Sequence, residues 1–458
     1  MRACYTRSSK VGFGPCGVFL RPYSSEKDAK AGTSDVSGQV AARRSSRLLD
    51  WVLQLRAAEA LRHREFRLLW FGHVFTSMAF WMDQVTRGWL IYELTNSTVQ
   101  LGLVRGVQAI PILLLSPLAG STADRYSRKM QILVTQTCDG VMYGVLALLI
   151  VSDGIEAWHV YASAVVMAID QTFLQPARAA IIADAVPRNR LANAIGLNSM
   201  VFNLARSTGP ALAGVLIASV GTGGAYGSQA AFCVLATFWT FRLRAGTSSF
   251  AHNRLGRETS LRQGIIEGWK FSWQNQTVRT ALLIAMLASF FVVPFVTLLP
   301  VFARDILSVG ATGQGFLLTA MGIGALGAAV VIAGFGDRMP RGIFMLGGVA
   351  VYGVSLVAFA ASPWFSLSLA LMVIIGFTNV CSNALVQTVV QTYSPSELRG
   401  RTMAIFQLGQ VVMTVGSIII GSLAAFCGAP WAVALMGSAG ALAIVAIHIM
   451  LPRAWSIR

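Results

Sequence analysis

A chain of 458 residues in which 55% of the side chains are hydrophobic and only 12% are charged cannot clothe a water-soluble fold, which carries roughly 25% charge. With a mean hydropathy of +0.62 it reads as an integral membrane protein. The net charge of +17 would suggest a nucleic-acid partner in a soluble chain, but in a lipid bilayer it is the distribution of charge that matters, and no nucleic acid is expected.

The first 45 or so residues lack an apolar core long enough for a signal peptide. They are rich in Ser and Arg and hold no acid before Glu26, and they read as a disordered tail. From about Arg47 to Glu65 a mixed apolar and charged stretch predicts a surface helix leading into the membrane. Twelve apolar runs follow, at 66–93, 99–122, 130–152, 158–183, 191–219, 225–243, 278–303, 311–335, 342–361, 364–391, 399–427 and 429–451. Each can cross about 30 Å of hydrocarbon as a helix. They are apolar all round, without the alternation of a membrane barrel strand. Within the polar stretch 244–277, Leu261, Ile265, Trp269 and Trp273 stand four apart with Arg262, Glu267 and Lys270 between them, the pattern of a helix lying on the inner leaflet.

Basic residues set the orientation. If both ends face the cytoplasm, nearly all the excess basic charge falls on that side, counting the segment after the fourth run with its Arg188 and Arg190. No arginine is expected in the inner part of helix 4. The expected fold is all-α and integral to the membrane, with twelve transmembrane helices in two six-helix pseudo-symmetric bundles. The tail 1–65 precedes a bundle at 66–243; the linker 244–277 leads to a second bundle at 278–451 and a cytoplasmic tail at 452–458.

The pseudo-symmetry is written in a repeat. GSTADRYSRK places Asp124, Arg125 and Arg128 after the second run, and GFGDRMPRG repeats the spacing with Asp337, Arg338 and Arg341; Gly102 and Gly315 share that offset. Gln171 and Gln175 are echoed by Asn379 and Asn383. At the end of its own helix Asp124 is disfavoured by the dipole, so it wants a facing helix N-terminus or an arginine, whereas Ser127 suits the cap of the third helix.

Twelve spans in two halves with this loop resemble the major facilitator superfamily and its G-x-x-x-D-R-x-x-R-K signature. WMDQVTRGWLIYELTNS (81–97), QPARAAIIADAVPRNRLANAIGLNS (175–199), ARSTGPALAG (205–214) and SELRGRTMAIFQLG (396–409) are similar to the bacterial drug and siderophore exporter branch. The resemblance implies that Asp124 caps the start of helix 11 around Arg399 and Gly400, with Asp337 its counterpart at helix 5, and that both belong to a gate that includes Arg125, Arg128, Arg338 and Arg341. It also implies that Gly209, Pro210 and Gly214 form the helix 5 motif of exporters, and that helices 1, 4, 7 and 10 surround a substrate cavity. Departures from the pattern are Ala205, Ala213 and Ser127, where the family has glycine.

A charge inside the bilayer is a functional suspect, because it is costly unless paired or wet. Asp83, Arg87, Arg105, Asp139, Asp170 and Arg206 are six such charges, all in the first half. Asp83 is the first proton-coupling candidate and Asp170 the second, with Asp139 behind them because the resemblance makes helix 3 peripheral; Asp83 with Arg87 can equally be a permanent ion pair. Arg206 is a candidate partner for Asp139. Arg87, Arg105, Gln171, Gln175, Asn379 and Asn383 are candidates for the cavity wall, and Gln387 and Gln391 extend the amide stripe on helix 10.

There is no G-x-x-x-x-G-K-[ST] phosphate loop, no H-E-x-x-H and no C-x-x-C. No cofactor, metal or enzymatic activity is expected. The resemblance and its helix 5 motif imply export of small amphipathic, drug- or siderophore-like molecules by proton antiport, the protein acting as a monomer in the bacterial inner membrane. An importer of the same fold and a non-transporting membrane sensor or scaffold are the alternatives.

Overall fold

The computed structural model describes residues 56–244, 261–335, 341–395 and 398–450. Among them every element is helical. The tail 1–45 and the first part of the predicted surface helix, 47–55, lie outside the described residues; the remainder is a 3-10 turn at Arg56–Arg62 that leads into a long helix beginning at Arg64. It is anchored where the Ala60 N–H donates to Asn193 Oδ1 at 2.9 Å and Arg190 pairs with Glu59.

The helices are α1 (Arg64–Thr95), α2 (Thr98–Arg125), α3 (Arg128–Val151), α4 (Ala157–Ala185) and α5 (Leu191–Phe241). After them come α6 (Leu261–Gln274), α7 (Gln276–Ile306), α8 (Gly310–Phe335), α9 (Arg341–Ala361), α10 (Phe365–Tyr393), α11 (Arg399–Cys427) and α12 (Ala429–Met450). Every predicted apolar run falls on a helix. α5 carries two of them and breaks at Gly221, whose φ of 76° is open to glycine and costly to other residues. Around Pro294 and Pro300, α7 changes from α-helix to π and 3-10 turns, because proline removes a donor and crowds the preceding turn. Ser127 does cap α3, accepting from the Met130 N–H at 3.4 Å. By length and composition nine helices among the described residues can cross a membrane. That number takes α5 once and omits α1 and α4, along which polar and charged side chains lie.

Within the first half α5 packs on α1 and α3, and α4 on α2 and α3; within the second, α10 packs on α8 and α9, and α12 on α9 and α11. Two seams join the halves, α2 on α11 and α5 on α8. Taking the side where α1 begins as the near side, both seams lie toward the far side. A Cβ at Gly102 would stand 2.6 Å from the Ser417 carbonyl oxygen, and one at Gly315 would stand 2.5 Å from that of Pro210. A Cβ at Gly421 would stand 2.6 Å from the Thr98 carbonyl oxygen, and one at Gly214 would stand 2.6 Å from that of Ala311. Glycine is required at all four because backbone meets backbone there. Thr98 donates to the Gly421 carbonyl at 2.9 Å, and Thr312 to that of Gly214 at 3.3 Å. Thr98 and Ala311 are separated by the same interval as Gly102 and Gly315, so the second seam repeats the first. Tyr92 adds a hydrogen bond from the far end of α1 to Asp305 of α7. On the near side, residues 399–407 of α11 pack on α10, α7 and α6, while Leu113, Leu114 and Leu118 of α2 are more than half exposed.

Candidate functional site

The site grows from one face of α1. Asp83 and Arg87, one turn apart, form a bidentate ion pair in which Arg87 Nε and Nη2 each donate at 3.0 Å to a carboxylate oxygen. Arg87 Nη1 donates to Ser163 Oγ at 2.7 Å and the Val160 carbonyl at 3.3 Å, both on α4, and Nη2 also meets Met167 Sδ at 2.7 Å. With Arg87 only 2% exposed, the guanidinium is closed in on every edge. Such an arrangement binds α1 to α4 and holds both charges.

A second pair of carboxyls has no such clamp. Asp139 on α3 and Asp170 on α4 are neighbours, both buried, with the Cys138 thiol beside Asp170. Asp139 Oδ1 and Asp170 Oδ2 have no hydrogen-bond partner among the described residues, and neither residue is in an ion pair there. The expected partner Arg206 is elsewhere: its guanidinium stands over the Trp81 ring, 5.5 Å from the centroid, because that face of α5 turns toward α1.

Arg178 corrects the expectation that the inner part of helix 4 has no arginine. It lies within α4, buried, and donates from Nη2 to Thr76 Oγ1 of α1 at 3.0 Å. One turn before Thr76 on α1, His73 is hydrogen-bonded to Ser77 at 3.1 Å. The signal was in the sequence: Asp170, Leu174 and Arg178 are at four-residue steps, all three buried.

Between the halves Arg105 of α2 donates to Gln84 Oε1 at 2.6 Å, in a cleft that Thr297 and Gln314 of the second half also line. Gln314 is buried with Oε1 unpartnered among the described residues. Thr297 and Gln314 belong to no motif, and Gln84, though inside the 81–97 stretch, was not singled out beside its charged neighbour Asp83. On α10 Asn379 is half-buried near Tyr352, whereas Asn383, Gln387 and Gln391 are exposed; Gln171 is half-buried and Gln175 exposed on α4. Gly209 packs on Trp81, while Pro210 and Gly214 belong to the α5–α8 seam.

Of the loop residues, Arg128 pairs with Asp184 and so ties α3 to α4 within one half. Asp337 and Arg338 lie outside the described residues. For Asp124, Arg125 and Arg341 only the helical backbone is described, at the near ends of α2 and α9. Among the described residues no grouping of His, Cys, Asp or Glu could hold a metal ion.

The family model described as transmembrane secretion effector, in the major facilitator superfamily, matches residues 57–455. The chain belongs to this family. Among relatives of this chain is the multidrug efflux pump Tap of Mycolicibacterium fortuitum, 27% identical over 74% of this chain and 84% of that protein. Another, the staphyloferrin A transporter of Staphylococcus aureus, is 23% identical over 78% of this chain and 89% of its own length. The structure of a bacterial homologue of the human lysosomal transporter Spinster, 16% identical, superposes with a TM-score of 0.64 over 86% of this chain and 96% of that one. Among the described residues the protein is all-helical, it is a multi-pass membrane transporter of small molecules, and its relatives fit the drug and siderophore branch.

Proposed function

We propose that the protein exports small amphipathic molecules, drug- or siderophore-like, by alternating access and in exchange for protons. In this reading twelve spans form two six-helix bundles joined by 244–277. The monomer sits in the bacterial inner membrane with both termini in the cytoplasm, so the far side is extracellular. The observation that carries it is the pair of repeated glycine seams, α2 with α11 and α5 with α8, both toward one side. Two equivalent seams allow the bundles to rock as rigid bodies, closing one side as the other opens. The relatives' names, an efflux pump and a siderophore transporter, support the substrate class.

The coupling proton rides on Asp170, with Asp139 beside it, rather than on Asp83. The two adjacent carboxyls are in no ion pair among the described residues, although the buried Arg178 is near enough to act on Asp139, and they repel one another until a proton binds, whereas Asp83 is held in a bidentate pair by Arg87. Asp124 and Asp337 latch the near side when it shuts, and the exposed amides of α10 and α4 line the substrate path. The test is accumulation of a fluorescent amphipathic dye by cells expressing the protein. Expression lowers dye content severalfold, and a proton-gradient uncoupler restores it. Dye content that is lowered equally with and without the uncoupler contradicts proton exchange, and dye content that expression raises indicates import.

A further inference from the structure

The amphipathic helix α6 carries a feature that transport does not use. Ile266, Trp269 and Trp273 are all more than half exposed on one face, and the two indoles stack with centroids 6.4 Å apart and planes at 8°. Behind them a groove of about 190 Å³ runs between the near ends of α7 and α11, walled by Leu282, Leu283 and Met286 on one side and Ile405 and Leu408 on the other. The groove is too small to take a helix or a folded segment, but it is wide enough for part of one hydrocarbon chain.

Its mouth is cationic. Arg279 stands over the Trp273 ring, 5.9 Å from the centroid, and donates to the Trp273 carbonyl at 3.4 Å. Lys270 is exposed and lines a shallow hollow with Trp269, Trp273 and Gln274. Among the described residues neither cation is in an ion pair; Glu267, the acid of α6, is held by Arg401. An apolar slot with indoles at its rim and two uncompensated cations at its mouth matches a molecule with a hydrocarbon chain and a negative head.

We infer that this groove is a binding site for one anionic phospholipid, with an acyl chain between α7 and α11 and the headgroup phosphate on Arg279 and Lys270. Bound there, the lipid joins α6 to both helices of the second half. The inference does not depend on the direction of transport or on the coupling ion.

The test uses the full-length protein in mixed micelles with phosphatidylglycerol or phosphatidylcholine of identical chains, the retained lipid being counted by native mass spectrometry. The wild type is expected to retain phosphatidylglycerol roughly tenfold or more over phosphatidylcholine, since two basic contacts distinguish the headgroups. The double variant Lys270→Gln, Arg279→Gln loses that preference while its melting temperature in phosphatidylcholine is unchanged. Chain-brominated phosphatidylglycerol quenches a component of tryptophan fluorescence that Trp269→Phe, Trp273→Phe removes. Equal retention of the two lipids, or a preference that survives the double variant, overturns the site. Displacement of the lipid by millimolar inorganic phosphate shows a phosphate pocket without a chain, and no brominated-lipid quenching shows that another part of the protein fills the groove; either overturns the proposal.

Discussion

Asp170→Asn abolishes proton-driven accumulation while substrate exchange between two equal pools continues. Asparagine has nearly the shape of a protonated aspartic acid and cannot release a proton, so the bundles still rock around substrate but no longer respond to the gradient. The sign is fixed by the geometry of antiport. In the proposed antiport a proton is taken up when Asp170 faces the acidic outer side and lost when it faces the cytoplasm, and the release makes room for outbound substrate. Asp139→Asn removes the charge that makes the proton costly to lose from the pair, so it shifts the pH dependence of transport without removing it. Proteoliposomes with an imposed pH gradient measure both quantities. A gradient-driven component of normal size in Asp170→Asn assigns the coupling to another group.

The second large effect is on folding. Arg87→Met leaves Asp83 buried without its partner and frees Ser163 and the Val160 carbonyl as well. Breaking a buried pair from one side costs about 3–5 kcal/mol, so the variant is expected to melt well below the wild type in detergent and to accumulate poorly in the membrane. Asp83→Asn with Arg87→Met removes both charges and recovers a large part of the loss. A melting temperature for Arg87→Met equal to that of the wild type contradicts the view of this pair as a closed structural clamp.

Much of the architecture was legible because each crossing needs an apolar run of its own, and the turn between helices shows as a break in it. Gly221 separates two runs that the backbone nearly joins, and the gap between 219 and 225 marked it. The proline-rich 294–300 segment of α7 gave no warning of its π and 3-10 turns, since apolarity is blind to how a helix is wound. The site was half legible. Asp83 and Arg87 are neighbours along one helix, so spacing alone brings them together. Asp139 and Asp170 sit on different helices, as do Arg206 and Trp81, and no periodicity within one helix says which face meets which. Arg178 was missed because it precedes Asp184, Arg188 and Arg190, and a basic residue near a cytoplasmic loop is readily taken as part of it. The repeat gave Gly102 and Gly315 but not their partners Ser417 and Pro210, which belong to a second repeated element at a different interval.

The central claim is that the two seams open together. It is tested most directly by pulsed electron-spin distance measurements in liposomes with labels at two pairs of exposed positions, Asn96 with Phe426 beside the α2–α11 seam and Val220 with Ser308 beside the α5–α8 seam. The account predicts that acid pH or bound substrate lengthens both distances in step, and that Asp170→Asn, fixed in the neutral form, shows the longer pair at every pH. One distance that lengthens while the other stays fixed, or two that never change in liposomes that transport, would contradict it.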